Sequence, residues 1–194
     1  MTRPDDSVML WRRLDLPGHD AARVVFHEPF WQLGGMAVFS HDGLPCRLEY
    51  AVVCDAAWRT LHAGVVGWMG SSRVRVNLVA SAGRGWHLNG RLHTELADCL
   101  DVDLAFTPAT NMLPIRRLTL RPGQASAVRA AWLTFPALTL ESLDQTYRRT
   151  GETTYHYESG GGAFATDLEV NEAGFVTRYP GQWEREPPRQ SDLA

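Results

Sequence analysis

The residue types best suited to chemistry in this chain lie in one run, residues 101–120. Asp101 and Asp103 precede a Thr-Pro-Ala-Thr-Asn stretch, and Arg116 and Arg117 follow it. If that stretch is a turn between two strands, Asp103 faces Arg117 across the pair, and Asp101 shares the face of Asp103. Opposite charges at facing positions fix strand register. The same carboxylates and guanidinium groups, with Asn111 of the turn, could also hold a polar head group.

The two carboxylates also raise the question of acid/base catalysis. On one strand face, Asp101 and Asp103 would be roughly 6 to 7 Å apart at about 3.3 Å rise per residue, which overlaps the separation found in glycosidases. However, arginines nearby would favour the ionised form of both groups, whereas a general acid must hold its proton. The pattern therefore favours a charge-paired hairpin over the lining of a cavity, and either over catalysis.

Other catalytic and metal-binding motifs are absent from the sequence. It holds no Gly-x-Ser-x-Gly elbow and no phosphate-binding glycine loop. His87 and His93 could approach each other across a hairpin, but a metal site needs at least one more protein ligand. We therefore predict no catalytic residue, no metal and no cofactor.

Composition limits the class of protein and of partner. A chain of 194 residues fits one domain, and a net charge of -3 gives no electrostatic case for nucleic acid. No apolar run approaches the roughly 18 residues of a transmembrane segment, and no signal peptide is recognisable. The expected location is the cytoplasm, where Cys46, Cys54 and Cys99 would be free thiols.

Alternation of apolar and polar residues predicts β-strands. Val74, Val76 and Leu78 fall on one face of the segment 73–80, and similar alternation recurs near the C-terminus. Asn89-Gly90 is a strong hairpin signal that places Trp86 opposite His93. Further turns are predicted at residues 41–43, 160–162 and 171–174, whereas residues 138–149 suit either a short helix or a strand.

These signals predict one β domain. About ten to thirteen strands at short spacing are typical of an all-β sandwich, roll or barrel. We assign the fold as mainly β: a single-domain antiparallel β-roll, or open half-barrel, with few short helices. The domain is expected to span residues 1–185, and residues 186–194 to form a flexible C-terminal tail.

Seven tryptophans are a high number for this length. Trp58, Trp68, Trp86 and Trp132 fall in predicted strands and would chiefly fill a β core. Aromatic residues that face into a large roll would also line an apolar trough. Such a trough suits an acyl chain, which gains roughly 0.8 kcal/mol per buried methylene.

With these motifs assembled, the chain resembles the bacterial putative glycolipid-binding family. The resemblance runs from about residue 10 to residue 185 and rests on the segments Leu48–Asp55 with Trp58, Gly85–Gly90, Asp101–Leu118, Ala131–Pro136, Gln145–Arg149, Tyr155–Ser159 and Tyr179–Trp183. It implies a spiral antiparallel β-roll similar to periplasmic lipoprotein carriers and to mycobacterial lipid-carrier lipoproteins. It implies no catalytic or binding residues.

We interpret the chain as a non-enzymatic protein that holds a lipid or glycolipid in a concave β-roll. The candidate ligand contacts are Asp55, Trp58, Trp68, Trp86, Asp101, Asp103, Asn111, Arg116, Arg117 and Trp132. One alternative is an enzyme acting on a lipid or sugar-like substrate through Asp55, Asp101 or Asp103. Another is an interaction module that binds a protein through an exposed sheet face or edge.

Overall fold

A computed structural model describes residues 7–186 of the chain. Within that range it contains one seven-residue helix, α1 (Met112–Leu118), and three 3₁₀ turns. It also contains fifteen strands: β1 (Val8–Arg13), β2 (Gly18–His27), β3 (Phe30–His41), β4 (Leu44–Cys54), β5 (Thr60–Met69), β6 (Ser72–Ser81), β7 (Gly85–Leu88), β8 (Arg91–His93), β9 (Asp101–Leu104), β10 (Ala125–Leu133), β11 (Leu140–Arg149), β12 (Thr154–Ser159), β13 (Phe164–Val170), β14 (Val176–Tyr179) and β15 (Trp183–Arg185).

All fifteen strands form one sheet that curls without closing. The order is β8-β7-β6-β5-β4-β3-β2-β1-β15-β14-β13-β12-β11-β10-β9, and only the β9–β10 pair is parallel. The two halves of the sheet meet where Thr60 of β5 donates its N–H to the Leu100 carbonyl at 2.9 Å. The Thr60 hydroxyl in turn accepts the N–H of Val102 at 3.2 Å. The predicted fold, an open antiparallel β-roll with little helix, is confirmed.

Local sequence signals account for much of this sheet. Val74, Val76 and Leu78 are buried on the inner face of β6, as their alternation predicts. The Asn89-Gly90 turn joins β7 to β8 with Trp86 opposite His93, the predicted register. The predicted turns at 41–43, 160–162 and 171–174 also join consecutive strands, and residues 140–149 form a strand, not a helix.

The predicted hairpin over residues 101–120 is wrong. Its first strand exists as β9, but that strand pairs in parallel with β10, so Asp103 lies beside Trp132. Residues 112–118 form α1 instead of a second strand. Pro114 fits there because the first turn of a helix leaves its backbone N–H groups unbonded. The expected pair of Asp103 with Arg117 is therefore replaced by a pair of Asp101 with Arg117.

The interior of the roll is occupied by residues 105–118, which we call the core segment. Phe106, Met112, Leu113 and Ile115 are buried in the main hydrophobic core. The segment begins beside the β12–β13 and β14–β15 turns and ends beside the β11–β12 and β13–β14 turns. It thus fills the concave face that we expected to hold a ligand, and clefts remain at its two ends.

The cysteines are free thiols, as predicted, and all three are buried. Burial raises the pKa of Cys54 to about 12 and that of Cys99 to about 11, which disfavours the reactive thiolate. Within residues 7–186, no helix is long and apolar enough to cross a membrane. Residues 187–194 of the expected tail lie outside the described residues.

Candidate ligand-binding site

Three of the predicted site residues meet at one end of the roll, in a cleft of about 170 Å³. We call this end the acidic end, because Asp103 of β9 lies in the wall of its cleft. Asn111 comes from the core segment and Trp132 from β10, beside Asp103 in the parallel pair. The other side is closed by residues of the β12–β13 and β14–β15 turns, namely Tyr157, Ser159, Phe164, Tyr179, Gln182 and Trp183.

Asp103 is held by an amide and not by a cation. Gln145 Nε2 donates hydrogen bonds to Asp103 Oδ2 at 2.7 Å and to Tyr157 Oη at 3.0 Å. Burial raises the pKa of Asp103 to about 6, and the negative charge of Asp101 adds a smaller increase. The hydrogen bond from Gln145 acts in the opposite direction and lowers the pKa. None of residues 7–186 donates a hydrogen bond to Asp103 Oδ1, so this oxygen is free to accept one from a ligand.

Aromatic rings form the rest of the acidic-end cleft. The Phe164 ring lies 6.2 Å from that of Tyr157 and 6.0 Å from that of Tyr179, measured between centroids. Burial raises the pKa of both tyrosines above its usual value, so their phenols stay protonated and can donate hydrogen bonds. Asn111 is fixed by donating Nδ2 to Tyr147 Oη at 3.0 Å.

The groups that line this cleft are chemically suited to a polyol. A carboxylate and amides accept and donate hydrogen bonds to hydroxyl groups, while aromatic faces pack against C–H groups. A volume of about 170 Å³ is that of five or six waters at ~30 Å³ each, comparable with one sugar ring. It is smaller than the ~300 to 1,000 Å³ of pockets that enclose a whole drug-sized ligand.

Asp101 is not part of this cleft. Its side chain is 1% exposed and accepts two hydrogen bonds from Arg117, from Nε at 2.9 Å and from Nη2 at 2.5 Å. This bidentate pair joins β9 to α1 inside the roll. Because Asp101 is neutralised there, it is not available as the second carboxylate of an acid/base pair with Asp103.

A second group of predicted residues meets at the opposite end, which we call the arginine end. Trp58, Arg116 and Arg117 line a cleft of about 650 Å³ there, together with Ile115 and Tyr155. The Arg116 guanidinium carbon lies 5.2 Å from the centroid of the Trp58 ring, and the Trp31 ring stacks on Trp58 at 4.4 Å.

The remaining predicted residues lie in neither cleft, and each has a contact that explains it structurally. Asp55 Oδ1 accepts the backbone N–H groups of Ala57 and Arg59 at 2.9 Å each, which fixes the β4–β5 turn. Trp86 is 1% exposed and donates Nε1 to the Cys99 carbonyl at 3.0 Å. Trp68 faces outward from β5, 37% exposed, opposite arginines of both neighbouring strands.

One buried carboxylate was not identified from the sequence. Asp20 of β2 is fully buried and accepts hydrogen bonds from Tyr50 Oη at 2.9 Å and from the Thr107 hydroxyl. Burial raises its pKa to about 6 despite these two donors. The signal was present in the sequence, because Asp20 falls in register with the apolar, inward positions Ala22 and Val24. It ties β2 to the core segment beside the acidic end.

Gln145 was also missed, but for a different reason. It occupies an inward position of β11, two residues before the buried Tyr147, yet an isolated glutamine carries no signal of its own. Within the described residues, no three His, Cys, Asp or Glu side chains are grouped so as to hold a metal ion.

The structure is an open β-roll with an internal segment and a cleft at each end of that segment. The chain belongs to the family described as putative glycolipid-binding, whose model matches residues 8–185. It is similar to a solved structure of a DUF1089 family protein from Pseudomonas aeruginosa, with 31% sequence identity and a TM-score of 0.74. The match covers 86% of this chain and 92% of that one. No curated protein matches the chain.

Proposed function

We propose that the protein binds a glycolipid and that the sugar head group occupies the acidic-end cleft. The observation that carries the proposal is the position of Asp103 in the wall of a small cleft lined with tyrosine and tryptophan rings, where its Oδ1 accepts no hydrogen bond from residues 7–186. The family name, putative glycolipid-binding, supports the same class of ligand.

The hydrogen-bonding groups of the cleft match a sugar ring. Asp103 accepts hydroxyl hydrogens, and the phenols of Tyr157 and Tyr179 donate to hydroxyl or ring oxygens. Trp132 supplies an apolar face beside the carboxylate, since both side chains lie on the same face of the β9–β10 pair. A site that combines one carboxylate, neutral polar groups and aromatic rings favours an uncharged sugar over an anion.

The acyl part of the ligand would lie outside the small cleft. A neighbouring cleft of about 470 Å³ shares Ser159 with the acidic-end cleft, and its lining residue Gln145 donates a hydrogen bond to Asp103. Its lining includes Leu100, Ala127 and Val128. This placement differs from our expectation from sequence, in which the acyl chain lay on the concave face, because the core segment already covers that face.

Calorimetric titration with matched probes tests the proposal. Dodecyl maltoside below its micelle concentration should bind. Maltose, which lacks the alkyl chain, and dodecanol, which lacks the sugar, should each bind more weakly than dodecyl maltoside. Asp103→Ala should weaken dodecyl maltoside binding by about ten- to a hundredfold, the range for hydrogen bonds to a charged group. Glu49→Ala, an exposed residue on the outer face of β4, is the matched control and should bind as the wild type does. Equal affinity of dodecyl maltoside for all three proteins would overturn the proposal.

A further inference from the structure

The arginine-end cleft is a larger and chemically different cavity from the one at the acidic end. Its volume is about 650 Å³, and its wall combines the apolar side chains of Ile115 and Val170, the rings of Trp58 and Tyr155, and the guanidinium group of Arg116. The volume lies within the ~300 to 1,000 Å³ of pockets that enclose a small-molecule ligand.

Arg116 is fixed in this cleft by three contacts. Its guanidinium group lies over the Trp58 ring, and Nη1 donates to the Glu172 carbonyl at 3.3 Å. Its aliphatic part lies against Gly174, where a Cβ would come within 3.0 Å of Arg116 Cδ. Gly174 also has φ +94, which favours glycine. The β13–β14 turn therefore makes room for this arginine.

The other two arginines of the cleft are fully engaged. Arg117 is neutralised by Asp101. Arg149 donates to three backbone carbonyls, those of Gly151 at 3.0 Å, Leu120 at 2.8 Å and Glu152. By contrast, no carboxylate of residues 7–186 lies within salt-bridge distance of Arg116. Glu152 and Glu172 also line the cleft, but both are exposed, so water and salt screen their charge.

Apolar surface leads from Arg116 out of the cleft. Trp58 stacks on Trp31, whose ring lies 4.8 Å from that of Phe26. Phe26 is 47% exposed at the end of β2, and Phe30 is 43% exposed at the start of β3. A positioned cation is thus continuous with a row of aromatic rings that ends in solvent.

We propose that the arginine-end cleft binds an anionic amphiphile, with its head on Arg116 and its alkyl chain along Trp58, Trp31 and Phe26. The shared chemistry of the head is an oxyanion, either the carboxylate of a fatty acid or the phosphate of a lipid. Planar guanidinium groups bind both through charge-assisted hydrogen bonds. This inference is independent of sugar binding at the acidic end.

Tryptophan fluorescence tests this inference directly, because Trp31 and Trp58 lie along the proposed chain path. Dodecyl phosphate and laurate, each below its micelle concentration, are titrated into the full chain, with inorganic phosphate and dodecyl maltoside as comparisons. The variants are Arg116→Gln, which removes the cation, and Arg75→Gln, which removes an exposed arginine of β6. Circular dichroism and the melting temperature check that both variants fold.

We expect one or both anionic amphiphiles to change the fluorescence. Arg116→Gln should weaken that binding by about ten- to a hundredfold, and Arg75→Gln should leave it unchanged. Asp103→Ala should retain it, which separates this site from the acidic end. Preference between the two anions identifies a phosphate or a carboxylate head. Equal affinity in Arg116→Gln and Arg75→Gln overturns the proposal, and so does inorganic phosphate binding as tightly as dodecyl phosphate.

Discussion

The two ends of the roll differ in charge, size and hydrogen bonding, although one core segment passes between them. At the acidic end, Asn111 of that segment lines a cleft of about 170 Å³ around an anionic group, Asp103. At the arginine end, Arg116 of the same segment lines a cleft of about 650 Å³ around a cation. Asn111 and Arg116 are only five positions apart in the sequence, yet they line clefts of opposite charge.

The difference shows how a filled roll can still leave two clefts of different chemistry. The core segment supplies most of the packing inside the sheet, and the strand turns at each end determine what surrounds its exposed atoms. Tyrosines and an amide surround the carboxylate, which suits hydroxyl groups. Tryptophan and aliphatic side chains surround the arginine, which suits an oxyanion with an apolar tail. Asp101 and Arg117 join these two regions as an internal ion pair.

The largest effect is expected from breaking that ion pair. Arg117→Ala leaves Asp101, 1% exposed, as a buried charge without a partner, which costs about 3 to 5 kcal/mol. Arg129→Ala is the control and should cost much less, because its bonds to Asp98 and Asp144 are exposed and screened by water and salt. Urea denaturation of both variants gives the comparison. Similar losses would show that the internal pair does not stabilise the contact between β9 and α1.

A smaller change of opposite sign is expected at Asp103. Its pKa rises from 3.8 to about 6 on folding, so the contribution of Asp103 to the free energy of unfolding should fall as pH rises from about 4 to above 6. Asp103→Asn removes this penalty and should raise stability by about 1 to 3 kcal/mol at pH 8, with little change at pH 4. Thermal melts across this range provide the test.

The ionisation of Asp103 should also appear in ligand binding. Hydroxyl groups bind more strongly to a carboxylate than to a neutral carboxyl, so dodecyl maltoside affinity should increase as pH rises through about 6. The increase should be about tenfold or less, and absent in Asp103→Asn. Binding of dodecyl phosphate at the arginine end should have the same pH dependence in the wild type and in Asp103→Asn, because the phosphate itself titrates at about pH 6. A sugar affinity that is flat across pH 5 to 8 would remove Asp103 from the site.

The parts of the fold that local signals specify were predicted well. Asn89-Gly90 determines its own turn geometry, so the register of Trp86 with His93 followed from two residues. The alternation of apolar and polar residues along β6 likewise identified which of its residues are buried. The prediction for the segment 101–120 was wrong because β9 pairs in parallel with β10, which follows it by more than 20 residues in sequence. No short motif encodes such a distant register.

The candidate site could be predicted only in part, again because it depends on contacts between strands that are distant in sequence. Asp103, Asn111 and Trp132 were among the polar and aromatic candidates, and the structure brings them into one cleft. Their companion Gln145 reaches Asp103 from a strand 42 positions later, a contact that only the folded sheet creates. Trp68 and Trp86 were also candidates, but they lie in neither cleft. A tryptophan in a strand does not show from sequence alone which face of the sheet it occupies or how deeply it is buried.

The most direct test of the account is whether sugar binding depends on the aromatic wall of the acidic end and not on aromatic surface in general. Dodecyl maltoside affinity should be measured by calorimetry for the wild type, Trp132→Ala and Trp68→Ala. Trp132 lies beside Asp103 in the cleft, whereas Trp68 is exposed on the outer face. We predict that Trp132→Ala weakens binding by about tenfold or more and that Trp68→Ala leaves it unchanged. Equal loss in both variants, or no loss in Trp132→Ala, would contradict sugar recognition at the acidic end.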